Sequence, residues 1–249
     1  MPHAQARVRI ARFQMKRVAI LQSSYLPWKG YFDLIGRVDE LIVYDCAQYT
    51  KNDWRNRNQI KSSSGKTWLT VSVRHKHLEQ SVDQVEIADP RCFRKHWSTF
   101  RQCYAKTPGI TYCVEMLEPV FMSASTCPTI SAVNLRFIEV INGLLGIQPQ
   151  ISNARDYQLE RGRNERLISL CRQAGADRYL SGPAARSYVD EALFSDHGIT
   201  VEWMDYGSYP EYPQPHSPFD HHVSILDVLA CTGDKAADYV KGKAGPVTP

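Results

Sequence analysis

Cys46, His221, His222 and Asp227 are the residues of this sequence best suited to nucleophilic chemistry. A cysteine attacks as its thiolate and needs a base or a positive neighbour to lower its pKa. An imidazole can be that base while a carboxylate fixes its tautomer, so these types together suit a Cys, His, Asp relay that carries acyl groups. On that chemistry Cys46 is the catalytic nucleophile, His221 or His222 the base, and Asp227 the residue that orients it. The competing account has Cys46 as one of seven small packed thiols, adjacent histidines as surface or capping residues in a loop, and Asp227 as an acceptor on a helix.

A second set could bind an anion. The run Lys51 to Asn58 places Lys51, Asp53, Arg55 and Arg57 around Trp54. In an extended segment Arg55 and Arg57 share a face, which suits a bidentate clamp on phosphate or carboxylate. A solvated charge run anchored by one tryptophan would have the same composition. Ser181-Gly182, after an apolar run, could add backbone amides to such a site. His75, His77 and His96 lack a recognisable second half of a metal site, so no metal is expected, and no motif calls for a cofactor.

These residues need a scaffold, and the apolar pattern supplies one. Arg17 to Leu21 is a short apolar run ending in the turn-prone Gln22, Ser23 and Ser24, as a buried strand would. A helix is expected after Pro27, ending near Gly36. Leu41 to Tyr44 is a second apolar run. A strand, helix, strand unit of this kind makes a parallel crossover whose working face lies at the carboxyl ends of the strands. Gln22, Tyr25, Trp28, Asp45 and Gln48 should therefore gather at one edge, as substrate-binding candidates beside Cys46. Further along, a strand is expected over 67–73, amphipathic helices over 90–106 and 130–145, and helices over 166–174, 188–194 and 223–229. Strands are expected over 178–181 and 199–204, and the proline-rich stretch 210–218 is an extended loop. The fold class is α/β, a Rossmann-like parallel sheet at the N-terminal half with helices packed around it. Residues 15–240 read as one domain or two tightly joined halves, 1–14 as a disordered extension or leader, and 241–249 as a disordered tail.

Composition narrows the function classes. The chain has 249 residues, 43% of them hydrophobic, enough for a sizeable core. No apolar stretch approaches the roughly 20 residues of a membrane-spanning helix. A net charge of +4 is too small to imply a nucleic-acid partner. The seven cysteines show no Cys-x-x-Cys pair and no export signal precedes them, which fits reduced thiols in a cytoplasmic protein.

Three blocks carry a family resemblance: Ile20-Leu21-Gln22-Ser23-Ser24-Tyr25-Leu26-Pro27-Trp28-Lys29-Gly30-Tyr31-Phe32, then Gln48-Tyr49-Thr50-Lys51-Asn52-Asp53-Trp54-Arg55-Asn56-Arg57-Asn58, then Tyr179-Leu180-Ser181-Gly182. With the closing His221-His222-Val223-Ser224-Ile225-Leu226-Asp227, the chain resembles the WbqC-like family from about residue 17 to 240. The resemblance implies an accessory enzyme of surface-polysaccharide or natural-product biosynthesis and names no reaction. Cys46 departs from the family pattern, where the position after Asp45 is commonly acidic or Asn. The opening unit is also similar, in architecture alone, to HIGH-type nucleotidyltransferases. The histidines those enzymes need are replaced here by Trp28 and Tyr31.

Two activities follow from these residues. In the first, Cys46 takes an acyl or aminoacyl group from a thioester donor, such as an acyl or aminoacyl carrier protein, and passes it to a small-molecule acceptor or closes a ring. In the second, a phosphate-bearing substrate such as a nucleotide sugar is bound non-covalently by Arg55, Arg57 and Asp45. A catalytically silent scaffold protein is the third alternative. The oligomeric state is not encoded in any of these motifs.

Overall fold

Val18, Ala19 and Ile20 are buried from both sides, and this fixes Arg17–Leu21 as a central strand, β1. Its side chains alternate between two apolar clusters, with Ala19 on one face and Val18 and Ile20 on the other. The chain then turns through 22–28 into a short helix, α1 (Lys29–Ile35), and enters a second strand, β2 (Glu40–Val43), whose residues are all buried. β1 and β2 pair in parallel, Ala19 opposite Leu41 and Leu21 opposite Val43, as the apolar runs predict. A computed structural model describes residues 15–242 of the chain. The expected extension 1–14 and the tail beyond 242 lie outside the described residues.

The remaining elements follow as β3 (Arg57–Ser62), β4 (Gly65–Thr70), β5 (Val73–Arg74), β6 (Glu86–Ile87), α2 (Cys92–Cys103), α3 (Ile110–Ala124), α4 (Ile130–Leu145) and β7 (Gln150–Asn153). After them come α5 (Arg163–Gln173), β8 (Arg178–Ser181), α6 (Glu191–Asp196), β9 (Thr200–Trp203), α7 (Ile225–Thr232) and α8 (Ala237–Val240). Five strands form one sheet in the order β7-β2-β1-β8-β9, every neighbouring pair parallel. Helices cover both faces. Phe32, Phe93, Phe121, Phe137 and Leu226 build the larger cluster, while Leu167, Cys171 and Phe194 build the smaller one against Val18 and Ile42. The protein is thus α/β and Rossmann-like. The chain winds outward from β1 to β2 and β7, then returns past β1 to β8 and β9, so the strand order reverses between β1 and β8.

Two elements fall where the sequence reading named none, and one boundary moves. Arg57–Ser62 is a strand, antiparallel to Gly65–Thr70 across a two-residue turn closed by Ser62 and Gly65. Its buried Asn58, Lys61 and Ser62 are polar, so apolar alternation does not reveal it; hydrogen bonding holds it instead. The Asn58 Nδ2 donates to the Leu26 carbonyl at 2.8 Å, and the Lys61 amide donates to the Tyr104 hydroxyl at 2.9 Å. Helix α3 contains Pro119, which normally excludes a helix interior, yet here Pro119 and Glu115 both lie on the exposed side. The carbonyl deprived of its partner can therefore reach water. Helix α6 starts later than expected because the Asp190 side chain accepts from the Leu193 amide at 3.1 Å and caps it there.

The carboxyl ends of β1 and β2 are joined by a buried carboxylate. Asp45 is wholly enclosed and accepts from the Ser23 amide at 2.7 Å, the Ser23 hydroxyl at 2.6 Å and the Ser131 hydroxyl at 2.5 Å. Ser131 belongs to α4, so one side chain ties both central strands to the helical layer. Replacing Asp45 by alanine leaves three buried donors without their acceptor, and each hydrogen bond to a charged group is worth roughly 1.5–3 kcal/mol. Asp45→Ala should lower the free energy of unfolding in urea by about 3 kcal/mol or more. A loss under about 1 kcal/mol would show that water or a rearrangement replaces the carboxylate.

Candidate functional site

In open parallel sheets, ligands bind outside the carboxyl ends of the strands where the strand order reverses. Here that point lies between Leu21 at the end of β1 and Ser181 at the end of β8, and a crevice of about 590 Å³ opens there. Gln22, Tyr31, Arg55, Arg163, Ser181 and Tyr188 are on its walls. A second crevice of about 320 Å³ adjoins it, lined by Pro27, Trp28, Trp54, Asn58 and His222. Ser24, Tyr31 and Arg55 line both and form the partition between them. Both volumes fall within the roughly 300–1,000 Å³ usual for small-molecule sites.

Arg55 is held at that partition from several sides. Its Nη1 donates to the Gln22 Oε1 at 3.0 Å, and Asp53 lies 3.9 Å from its Nε. Its backbone carbonyl accepts from the Asn134 Nδ2 at 2.9 Å, and the same amide nitrogen lies 3.0 Å from the Ser23 hydroxyl bound to Asp45. The guanidinium is mostly enclosed, and its Nε has no hydrogen-bond partner among the described residues. Arg163, the first residue of α5, stands on the wall of the larger crevice with its guanidinium 4.8 Å from the Tyr188 ring. Two cations thus border one concavity. Burial raises the pKa of Tyr31, which keeps this crevice residue a neutral phenol.

The floor of the smaller crevice depends on packing around Trp28. The Trp28 ring stacks on His222 at 5.4 Å and meets Tyr206 edge-on at 5.0 Å. Gly30 permits this, since a Cβ there would come within 2.3 Å of the indole. Leu26 takes a left-handed backbone with φ of 46°, unusual for a non-glycine residue, and its carbonyl accepts from both Asn58 and the Ser224 hydroxyl. These bonds hold the turn that carries Ser24, Pro27 and Trp28 into the site.

The sequence candidates divide between site and scaffold. Gln22, Trp28, Arg55, Ser181 and His222 line one or both crevices. Tyr25 does not: it is fully buried, with its hydroxyl 2.9 Å from the His96 Nδ1. Asp45 is enclosed by its hydroxyl donors, and the exposed Gln48 donates to the Leu78 carbonyl at 2.7 Å. Arg57 leaves its expected partner because β3 turns it onto the Trp68 ring at 4.2 Å, so the two arginines form no common clamp.

The expected relay is not assembled in this structure. Cys46 is half-buried against the smaller cluster and lines neither crevice. Burial pushes its thiol pKa up, and its charged neighbours are Arg155, Asp83 and Arg166 rather than an imidazole. Asp227 is buried in α7 and accepts from the Tyr104 and Tyr212 hydroxyls, each at 2.6 Å, and from the Gln214 Nε2 at 2.7 Å. His221 packs against Phe219 and Tyr209, with its Nδ1 enclosed and without a hydrogen-bond partner among the described residues. Iodoacetamide should therefore alkylate Cys46 at pH 7 no faster than an ordinary exposed thiol, and His221→Ala and His222→Ala should leave that rate unchanged. Faster labelling that either substitution slows would restore the relay.

One residue of the crevice wall lies beyond the sequence signals. Arg163 sits in a polar stretch with nothing to distinguish it from its neighbours, and only the fold brings it into the same crevice as Arg55. Lys29, in the first family block, lines neither crevice: it is 1% exposed, with its ammonium 5.0, 5.1 and 5.8 Å from the Tyr209, Tyr212 and Phe219 ring centres. Its hydrogen bond, to the Pro210 carbonyl, is long at 3.5 Å. Burial lowers its pKa from 10.5 to about 8. Above pH 8 the unfolded chain thus binds a proton at this position that the folded chain has released, so this lysine makes stability rise with pH between about 8 and 10. The slope is at most about 1.4 kcal/mol per pH unit. Urea unfolding of Lys29→Met compared with the parent across that window should show the rise vanish in the variant; equal slopes would mean that Lys29 keeps its usual pKa.

The geometry defines a doubly wound α/β protein with a cationic, two-chambered crevice at its switch point. The chain belongs to the WbqC-like protein family, which matches residues 22–239. It is 43% identical over 228 residues to the uncharacterized protein Rv1507c of Mycobacterium tuberculosis (strain ATCC 25618 / H37Rv), covering 91% of this chain and 98% of that protein. No solved structure matches it. Among the described residues, no helix is long and apolar enough to cross a membrane.

Proposed function

We propose that this chain is a biosynthetic enzyme that binds a phosphate-bearing small molecule, such as a nucleotide sugar, non-covalently across the carboxyl ends of β1 and β8. The observation that carries this reading is the position of Arg55, which is anchored by Gln22 and Asn134 on the partition of two crevices and has Arg163 on the wall of the larger one. A guanidinium presents planar forked donors that match phosphate oxygens, and a partly enclosed one binds them more strongly than a surface charge does. Tyr31 and Ser181 add hydroxyls on the same walls. The place of the substrate in surface-polysaccharide or natural-product assembly follows from the kind of pathway the family resemblance implies.

Acyl transfer through Cys46 draws less support from this geometry, because among the described residues no imidazole stands beside the thiol, and the thiol lines neither crevice. Calorimetric titration with inorganic pyrophosphate tests the preferred reading. The parent protein should bind it, Arg55→Ala should weaken binding about tenfold or more, and Arg55→Lys should recover little of that loss because the fork is gone. Cys46→Ala should bind as the parent does. Equal affinity in the parent and Arg55→Ala would remove this residue from the site, and with it the proposal.

A further inference from the structure

We infer that the smaller crevice is a stacking subsite for an uncharged planar ring, and that the ligand is a nucleoside diphosphate or its ester with the base on the exposed Trp54 ring, beside Trp28, and the diphosphate at Arg55. The inference rests on the anion-binding reading above and assigns the second chamber. Its walls are Pro27 and the two indoles, with Trp54 46% exposed at the rim. Among the described residues no carboxylate lines it, and the Arg55 cation on its wall opposes a cationic ring; Arg55 and His222 are the titratable groups besides the Tyr31 phenol, and Arg55 stands at the border with the larger crevice. A ring placed there has its charged substituent directed at Arg55, and whatever the diphosphate carries extends towards Ser181 and Arg163.

The side chains also indicate how the ring would be read. Asn58, the amide on this wall, is already committed: its Nδ2 donates to the Leu26 and Tyr25 carbonyls at 2.8 and 3.3 Å, and its Oδ1 accepts from the Gln59 amide at 2.8 Å. It has little capacity left to read the edge of a base. Recognition therefore falls to aromatic stacking, which every base can satisfy. Trp54 and Trp68 lie 5.8 Å apart on the hairpin side, and Arg57 stacks on Trp68, so the hairpin presents Trp54 from a braced ledge. The subsite should hold purine and pyrimidine nucleotides with little discrimination.

The test is calorimetric titration of the full chain with three probes: pyrophosphate, UDP and ADP. Both nucleotides should bind about tenfold or more tightly than pyrophosphate, near the low end of what base stacking on an aromatic side chain contributes, and within about threefold of each other. Trp54→Ala, at a rim position that folding does not depend on burying, should erase most of that margin and leave pyrophosphate binding unchanged. Arg55→Ala should weaken all three. Nucleotides that bind no more tightly than pyrophosphate, or a margin that survives Trp54→Ala, would overturn the ring subsite and leave the anion site standing. A Trp54-dependent margin that ignores Arg55→Ala would keep the ring subsite and overturn the anion site. Failure of all three probes to bind would overturn both.

Discussion

The enclosed Asp45 carboxylate is the constraint on which the site depends. Its acceptors draw together Ser23 after β1 and Ser131 on α4, while its own backbone carbonyl accepts from the Asp83 amide at 3.0 Å. Ser23 passes the constraint to Asn134, and Asn134 holds the carbonyl of Arg55. A buried charge without partners would be strongly destabilising, so each of these polar atoms has reason to stay where it is. The result is an arginine fixed in position through a chain of short bonds that begins in the core, although Arg55 itself lies in a turn. Under the proposed function, preorganisation of this kind would let an anion meet a guanidinium already in place and spend little ordering it.

The two chambers follow from that fixed point and from the turn after β1. The left-handed Leu26, the glycine beneath Trp28 and the Ser224 hydroxyl bonded to the Leu26 carbonyl set the floor of the smaller chamber, while the reversal of strand order between β1 and β8 opens the larger one. Residues near both ends of the chain thus build a single wall: Pro27 at one end, and His222, just before the helix capped by Ser224, at the other. Lys29 and the aromatic residues around it brace the strand-free stretch 204–224 against α1 from behind. The buried lysine fits a structural role here, since the rings compensate its charge only in part and its pKa falls accordingly.

Much of this was legible in the sequence where apolar pattern decides the outcome. The β1-α1-β2 unit, α4 over 130–145 and β8 over 178–181 follow directly from runs and stripes of apolar residues. The convergence of 22–28 with 45–49 follows from the parallel crossover rule. What escaped was held by polar contacts: β3 is buried through amides and a lysine, and α3 carries a proline whose exposure only the folded helix reveals. The catalytic reading of Cys46 rests on its position after a central strand. Chain position does not carry the orientation of the thiol, which packs against the smaller cluster, or that of His222, which stacks on Trp28 in a crevice Cys46 does not line. Arg163 illustrates the same limit in reverse, a residue with no local signal that topology alone places on the wall of the crevice that Arg55 borders.

The most direct test of the account is a crystal structure of the chain grown with a nucleoside diphosphate such as UDP. Phosphate density within hydrogen-bond distance of the Arg55 guanidinium, at the carboxyl ends of β1 and β8 with the base against Trp28 and Trp54, is the predicted result. Density for the nucleotide at another surface, with the Arg55 fork still bound only to Gln22, would contradict it.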